Sequence, residues 1–192
     1  EDKAKLCYYS SMALEISHPI LQPNILSQKL CHENIMAYGG EYTLDQLEFI
    51  EQIVKNTSDI MESECRERGK SGFMLAISLN NKATIVIQIG QVDESRKGYE
   101  PDGAKLKFAD YADAKVEFLK NNSTRSRSSQ SINELQTTTT LLKENVVGGA
   151  VAFNNGVKIG ISGLSSVAID DENAVLKIGK AHEFEEAISG NF

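Results

Sequence analysis

The sequence is short of the residues that define several classes of protein. Three prolines among 192 residues exclude a collagen-like or proline-rich chain. No apolar run approaches the roughly 18 to 20 residues that a membrane-spanning helix requires, so we expect no membrane span. The cysteines are Cys7, Cys31 and Cys65, and none belongs to a Cys-x-x-Cys pair, which argues against a structural zinc site. We expect three thiols, with a Cys7–Cys31 disulfide as the alternative.

Basic residues are in the minority, with 20 Lys and Arg against 27 Asp and Glu. The net charge of −7 provides no broad basic face for phosphates, which argues against nucleic-acid binding. Hydrophobic residues make up 41% of the chain, enough for the core of one domain with an attached arm. The chain begins at Glu1 without an initiator Met, so we expect a removed upstream segment. Both an exported and a cytoplasmic location stay open.

The pattern of glycines and caps divides the chain into an N-terminal extension and a domain. Residues 1–40 form the extension, and Gly39-Gly40 marks the break before a domain at 41–192. The sequence Thr43-Leu44-Asp45-Gln46 is typical of a capping box, which predicts the start of a long amphipathic helix. Gly69 is the expected end of that helix.

Two predicted hairpins follow, separated by a second helix. The predicted strands span 73–79, 83–89, 151–153 and 157–164. Asn80-Asn81 and Asn154-Asn155-Gly156 are expected to form the turns, because Asn and Gly tolerate positive φ. The intervening helix is predicted over 104–120. Hairpins separated by helices indicate an antiparallel sheet covered by helices, an α+β arrangement.

No catalytic motif was found in the sequence. It contains no Gly-x-Ser-x-Gly, Walker, His-Glu-x-x-His or Gly-x-Gly-x-x-Gly pattern. The histidines His18, His32 and His182 all lie outside 43–181, which excludes a core metal site built on two histidines. His32 and His182 are the candidate ligands for a haem iron, although a surface or packing role is the simpler interpretation of each.

Two groups of charged residues are candidates for a binding role. Lys115 lies near the inner face of its predicted helix, where the commoner outcome is a side chain that extends to solvent. The alternative is a buried lysine, which needs an anionic partner or an anionic ligand. Asp170-Asp171-Glu172 is expected to place negative charge at the start of the last helix. Cation binding by these three carboxylates is the alternative.

The order of elements and several short motifs resemble the GlcG/HbpS-like domains, which also occur as the C-terminal part of PduO-type proteins. The resemblance runs from Tyr42 to about Ala181. It is carried by a Leu/Thr-rich helix start, a helix centre with Lys, paired glycines before a strand, a glycine-rich strand end and an acidic, Ala-containing helix start. These are Tyr42–Gln46, Ala114–Val116, Gly148–Val151, Gly160–Ser166 and Asp171–Ala174.

The resemblance implies a profilin-like α/β/α sandwich with a five-stranded antiparallel sheet, in a protein that forms dimers or larger assemblies. It also implies binding of haem, a related tetrapyrrole or another small molecule. On this basis the candidate ligand-binding residues are Lys115, Phe118, Gly148, Gly149, Phe153, Gly163 and Ser165. We expect a binding module rather than an enzyme. The alternatives are an assembly protein that uses its N-terminal arm and, third, a haem-degrading enzyme.

Overall fold

The computed structural model describes residues 42–92, 107–128, 148–165 and 168–187. These residues form helices and strands in the order that the sequence predicts. The elements are α1 (Leu44–Glu67), β1 (Gly72–Leu79), β2 (Ile85–Gly90), α2 (Phe108–Asn121), β3 (Ala150–Ala152), β4 (Val157–Ser162) and α3 (Ala168–Ala181).

Helix α1 begins and ends at the predicted signals. The Thr43 hydroxyl accepts from the Gln46 N–H at 3.3 Å, and the Gln46 side chain accepts from the Thr43 N–H at 3.1 Å. This reciprocal pair confirms the capping box. At the other end Gly69 has a φ of +60°, and the Lys70 N–H reaches back to the Cys65 carbonyl at 2.8 Å. That 6→1 hydrogen bond is typical of a Schellman motif, which ends a helix at glycine.

The four strands form one antiparallel sheet in the order β2-β1-β4-β3. In β1, Leu75 lies opposite Ile87 of β2 and Ile161 of β4. Both predicted hairpins are confirmed. Asn80 and Asn81 have φ of 50° and 60° at the first turn, the left-handed conformation that Asn tolerates.

Helices cover both faces of the sheet, because the side chains of a strand alternate between faces. Phe73, Leu75, Ile77 and Leu79 of β1 join the buried cluster that contains the apolar residues of α1 and α3. Met74 and Ala76 join a second cluster with α2. Every side chain of β1 is buried, and each large one contributes roughly 1.5–3 kcal/mol of hydrophobic stabilisation.

Helix α2 comes very close to β4 at Gly160. A Cβ on Gly160 would lie 2.9 Å from Val116 Cγ2 and 3.0 Å from the Ala112 carbonyl. A glycine within a strand is typical of such a close approach of backbone to a neighbouring element. The helix starts at Phe108 rather than near 104, and residues 104–106 lie outside the described part. The Asp110 carboxylate, which accepts from the Lys107 N–H at 2.9 Å, caps this start.

The described sheet has four strands, whereas the family resemblance implied five. The outer edge of β3 is instead hydrogen-bonded to two short segments. The Ala152 N–H donates to the Ser126 carbonyl at 2.7 Å, and the Ala152 carbonyl accepts from the Ala187 N–H at 2.9 Å. Arg127 and Val151 form a single antiparallel bridge there. The fifth strand is therefore not among the described residues.

The predicted boundary between the extension and the domain, at residues 40 and 41, lies outside the described residues. Tyr42 is buried, and its hydroxyl donates to the Ala83 carbonyl at 2.6 Å. The predicted extension at 1–40 lies outside the described residues, as do Cys7, Cys31 and His32. In the described ranges, no helix combines the length and apolar character needed to cross a membrane.

Candidate functional site

The candidate site lies at the end of the sheet where β1 and β3 begin and β2 and β4 end. We call this edge the glycine end, after Gly72, Gly90, Gly149 and Gly163. Helix α1 ends there, and the N-terminal turns of α2 and α3 contribute Phe108 beside Gly163 and Asp171 beside Gly149. Side chains from all three helices therefore reach this edge.

Lys115 of α2 crosses the edge of the sheet and ends between β4 and α3. Its ammonium donates to the Ile161 carbonyl at 2.7 Å and lies 3.5 Å from Asp171 Oδ2. The side chains of Lys115 and Asp171 are only 5% and 4% exposed. Lys115 therefore does not extend to solvent; it follows the alternative of a buried lysine with an anionic partner, and the partner is Asp171.

The backbone at Gly149 packs directly against this ion pair, which is possible because glycine has no side chain. A Cβ there would lie 2.6 Å from Lys115 Nζ and 2.8 Å from the Ile161 carbonyl. Its φ of +99° is also one that residues with a side chain rarely adopt. The backbone of the paired glycines therefore sits directly against the lysine head group.

The three consecutive acidic residues of α3 each meet a cation from a different part of the chain. Asp170 pairs with Arg68 at 2.8 Å, Asp171 with Lys115 at 3.5 Å, and Glu172 with Arg127 at 3.9 Å. Asp170 and Asp171 lie in the first turn, as expected for charges that favour a helix start. The pairing explains these carboxylates without a bound cation.

Ser165 connects β4 to the same carboxylates. Its N–H donates to Asp171 Oδ1 at 3.0 Å, and its hydroxyl donates to Asp170 Oδ2 at 2.9 Å. These two bonds hold the acidic start of α3 against the end of the sheet. Ser165 thus orients the aspartate that faces Lys115.

Burial dominates the electrostatics of the Lys115–Asp171 pair. Desolvation lowers the pKa of Lys115 below its ordinary value, and the attraction of Asp171 offsets only part of that effect. Desolvation also raises the pKa of Asp171 to about 6, against the opposing attraction of Lys115. Both groups are therefore closer to their neutral forms than exposed groups would be, which is the usual cost of burying an ion pair.

The structure brings together only part of the predicted ligand-binding set. Lys115, Gly149 and Ser165 meet around Asp171, and Gly148 is the chain neighbour of Gly149. Gly163 lies at the same edge, where a Cβ would be 3.3 Å from the Phe108 ring. These five residues form one neighbourhood.

The structure places Phe118 and Phe153 in the two hydrophobic clusters that flank the sheet. Phe118 is buried in the cluster beneath α2. Phe153 packs in the opposite cluster, where a Cβ on Gly179 would come within 2.3 Å of its ring. Both are core residues in this structure.

His182 lies far from Lys115, because it follows the last turn of α3 whereas Asp171 lies in the first. The separation along the helix axis is about 16 Å. His182 stacks on Phe184 at 5.0 Å, and burial lowers the pKa of its imidazole. Its Nε2 is buried without a hydrogen-bond partner in the described part of the structure.

Sequence reasoning did not predict the three charge pairs of this neighbourhood. Arg68, Lys115 and Arg127 pair with the three carboxylates of α3, which were predicted as helix-start charges with cation binding as the alternative. The run Asp170-Asp171-Glu172 was the available signal, since three adjacent carboxylates near a predicted core lysine need cations. Among the described residues, no group of His, Cys, Asp or Glu side chains is arranged to hold a metal ion.

Comparisons of the chain with protein-family models, curated proteins and solved structures gave no match. The resemblance to GlcG/HbpS-like domains therefore stays a prediction from the quoted motifs.

Proposed function

We propose that this chain is a small-molecule-binding module of the GlcG/HbpS-like type, which takes haem or a related tetrapyrrole at the glycine end. The observation that carries the proposal is the meeting of Lys115, Gly149 and Ser165 around Asp171. These residues come from α2, the start of β3, the end of β4 and α3, so only the folded domain assembles them. Lys115, Gly149 and Ser165 were predicted as ligand-binding residues from the family motifs alone.

The chemistry of Lys115 suits recognition of a carboxylate. An ammonium carries three protons, and within the described residues Lys115 donates to the Ile161 carbonyl and Asp171. A ligand carboxylate, such as the propionate of a tetrapyrrole, is a suitable third acceptor. The missing side chain at Gly149 leaves backbone in direct contact with the lysine head group.

Axial ligation of haem iron by His182 does not fit this position, because about 16 Å of helix separates it from Asp171. The proposal therefore rests on recognition of the carboxylate and of the ligand's apolar body. It assigns no iron ligand.

A hemin titration followed through the Soret band tests the proposal. We expect a saturable shift at micromolar hemin in the full chain. The double variant Lys115→Met/Asp171→Asn removes both buried charges and should weaken binding about tenfold, the loss of one charge-assisted hydrogen bond. Lys158→Met is the matched control, because Lys158 is also buried but pairs with Ala152 beside the β3–β4 turn, at the end of β4 away from the glycine end. His182→Ala should bind as the parent does.

Two results would overturn the proposal. One is the absence of a saturable Soret shift for hemin and for protoporphyrin IX. The other is equal affinity in the parent and the Lys115→Met/Asp171→Asn variant, with both proteins shown to be folded by circular dichroism.

A second candidate function is assembly through the N-terminal arm, and one observation favours it. Leu44 and Phe49, in the first turns of α1, are 56% and 39% exposed and lie directly after the arm. Exposed apolar side chains beside a segment rich in Ile and Leu suit docking of that segment on another copy. Light scattering tests this: Leu44→Gln should lower the mass of the assembled full chain, whereas the exposed polar change Glu48→Gln should not. Equal masses for the two variants would remove the support.

A further inference from the structure

A cavity of about 300 Å³ lies between the last two turns of α1 and the start of β1. Cys65 and Arg66 line it from the helix, and Phe73 and Ile89 line it from the sheet. The connecting turn from Gly69 to Gly72 forms one wall. The cavity also lies at the glycine end, because Gly72 and Gly90 line it, but its lining does not include Lys115, Gly149, Ser165 or Asp171.

The floor of the cavity is apolar. Phe73 and Ile89 are 0% and 1% exposed and belong to the core beneath α1. Cys65 adds a thiol whose pKa burial raises to about 11, so it is uncharged at neutral pH. A thiol in that state behaves as a small hydrophobic group. The floor therefore favours the apolar body of a ligand.

Two cations stand at the rim. Arg66 and Glu62 both line the cavity and pair with each other, but the two side chains are 73% and 43% exposed, so this ion pair contributes little. Lys70 also lines the cavity, and among the residues that the structure describes no carboxylate pairs with it. A cation at the mouth of an apolar pocket matches a ligand with one anionic end.

A second cavity of about 330 Å³ lies at the same turn. Lys70, Ser71 and Gly72 line both cavities, and Gln91 and Val92 complete the second. Lys70 therefore lines both an apolar space and a more polar one. A ligand whose carboxylate pairs with Lys70 would place its apolar body in the first cavity and its carboxylate oxygens toward the second.

We infer that this cavity binds a small organic carboxylate with a flat apolar body of about ten to fifteen non-hydrogen atoms, whose carboxylate pairs with Lys70. Pockets for small ligands begin near this volume and combine apolar walls with a few polar groups. The inference goes beyond the proposed function, because it uses neither Lys115 nor any residue that the family resemblance selected.

Two probes of the same shape test the inference, naphthalene-1-carboxylate and the uncharged naphthalene-1-methanol. Each is titrated into the full ¹⁵N-labelled chain, and amide shifts of Gly69, Lys70, Gly72 and Gly90 are followed. We expect saturable shifts at these amides for both probes. The carboxylate should bind about fivefold more tightly, the contribution of one surface ion pair of about 1 kcal/mol.

A matched pair of variants isolates the charge. Gly69 has a φ of +60°, and a Cβ there meets nothing within 4 Å, so Asn and Asp both suit the position. Gly69→Asp should weaken the carboxylate about fivefold relative to Gly69→Asn and leave the alcohol unchanged. Asn155→Asp adds the same charge at the distant β3–β4 turn and should change neither affinity. Lys70→Gln should act as Gly69→Asp does.

The outcomes separate cleanly. Tighter carboxylate binding that Gly69→Asp and Lys70→Gln remove, but Asn155→Asp does not, supports the site. Equal binding of the two probes, shifts centred on other amides, or no saturable shift overturns it. Hemin binding is tested separately with the Lys115 variants, so a negative result for the two naphthalene probes does not contradict the proposed function.

Discussion

A Cβ on Gly149 would lie 2.6 Å from the Nζ of Lys115. The Lys115 ammonium cannot move away from such a Cβ without cost, because it donates a hydrogen bond to the Ile161 carbonyl at 2.7 Å. The same Cβ would lie 2.8 Å from that carbonyl, which belongs to the backbone of β4. The glycine is thus required by close approach as well as by its φ of +99°.

We therefore predict that Gly149→Ala destabilises the domain by about 3 kcal/mol, the sum of backbone strain and a steric clash in a packed region. Gly69→Ala is the matched control. It faces the same positive-φ penalty, but its Cβ meets nothing within 4 Å, so about 1 kcal/mol is expected. Urea unfolding of both variants measures the difference. Equal losses would show that the close approach to Lys115 contributes nothing.

The second prediction concerns the buried pair itself. Lys115→Met leaves the Asp171 carboxylate, 4% exposed, without its cation, and should cost about 3 to 5 kcal/mol at pH 7. Adding Asp171→Asn removes that charge, while the Asn oxygen still accepts from the Ser165 N–H. The double variant should therefore be more stable than Lys115→Met alone.

A double-mutant cycle by urea unfolding checks this coupling. The four proteins of the cycle are the parent, Lys115→Met, Asp171→Asn and the double variant. If the two single losses simply add in the double variant, the residues do not act as a pair.

Local signals in the sequence were enough to predict most of the fold. The Thr43 capping box and the Gly69 stop depend on residues only a few positions apart, so they could be recognised directly. The second hairpin was predicted correctly, but its turn differs in detail. Only Gly156 has positive φ there, as in a type I turn followed by a left-handed glycine, whereas an Asn155-Gly156 turn of type I′ needs positive φ at both residues.

The candidate site could be predicted only in part, because its contacts join distant segments. The helical pattern placed Lys115 on an inner face, but nothing local links it to Asp171, 56 residues later. Phe153 was predicted to touch a ligand, yet it fills the space that Gly179 leaves in α3. That complementarity of size across two elements has no sequence signature. Contacts between segments that are distant in the sequence therefore could not be predicted from the sequence alone.

The third prediction is an unusual pH dependence that arises at Asp113. Burial, together with the nearby Glu117 carboxylate, raises the pKa of Asp113 from 3.8 to about 6. The folded state then binds a proton more tightly than the unfolded state. The contribution of Asp113 to stability is therefore full below about pH 4 and is lost as the pH rises through 6.

Asp113→Asn removes the ionisation and should stabilise the domain at pH 7.5. Because the side chain is partly exposed, we expect about 1 kcal/mol rather than the full value of the shift. The gain should fall to about a third of that value at pH 4.5 and vanish below about pH 4. Thermal unfolding at pH 7.5 and 4.5 measures the decrease, with the exposed Asp59→Asn of α1 as the control. A gain of equal size at the two pH values would contradict the titration of Asp113.

The fourth prediction concerns Arg127, which ties the C-terminal segment to α3. Its guanidinium binds Glu186 through two hydrogen bonds of 2.7 Å and lies 3.9 Å from the fully buried Glu172. Arg127→Met removes the cation from both carboxylates and should cost about 3 kcal/mol. Glu186→Gln keeps Arg127 beside Glu172 and should cost about 1 kcal/mol.

Guanidinium unfolding at pH 7 distinguishes the two variants, and Arg66→Met is the control because that side chain is 73% exposed. The hydrogen bond from Arg127 lowers the pKa of Glu186 below 4.5. The stabilisation from this Arg127–Glu186 interaction is therefore present above pH 4.5 and is lost as the pH falls through the pKa of Glu186 in the folded state. The difference between the parent and Glu186→Gln should shrink on acidification. If Arg127→Met costs no more than Glu186→Gln at pH 7, Arg127 does not stabilise the buried Glu172, and the start of α3 depends on other contacts.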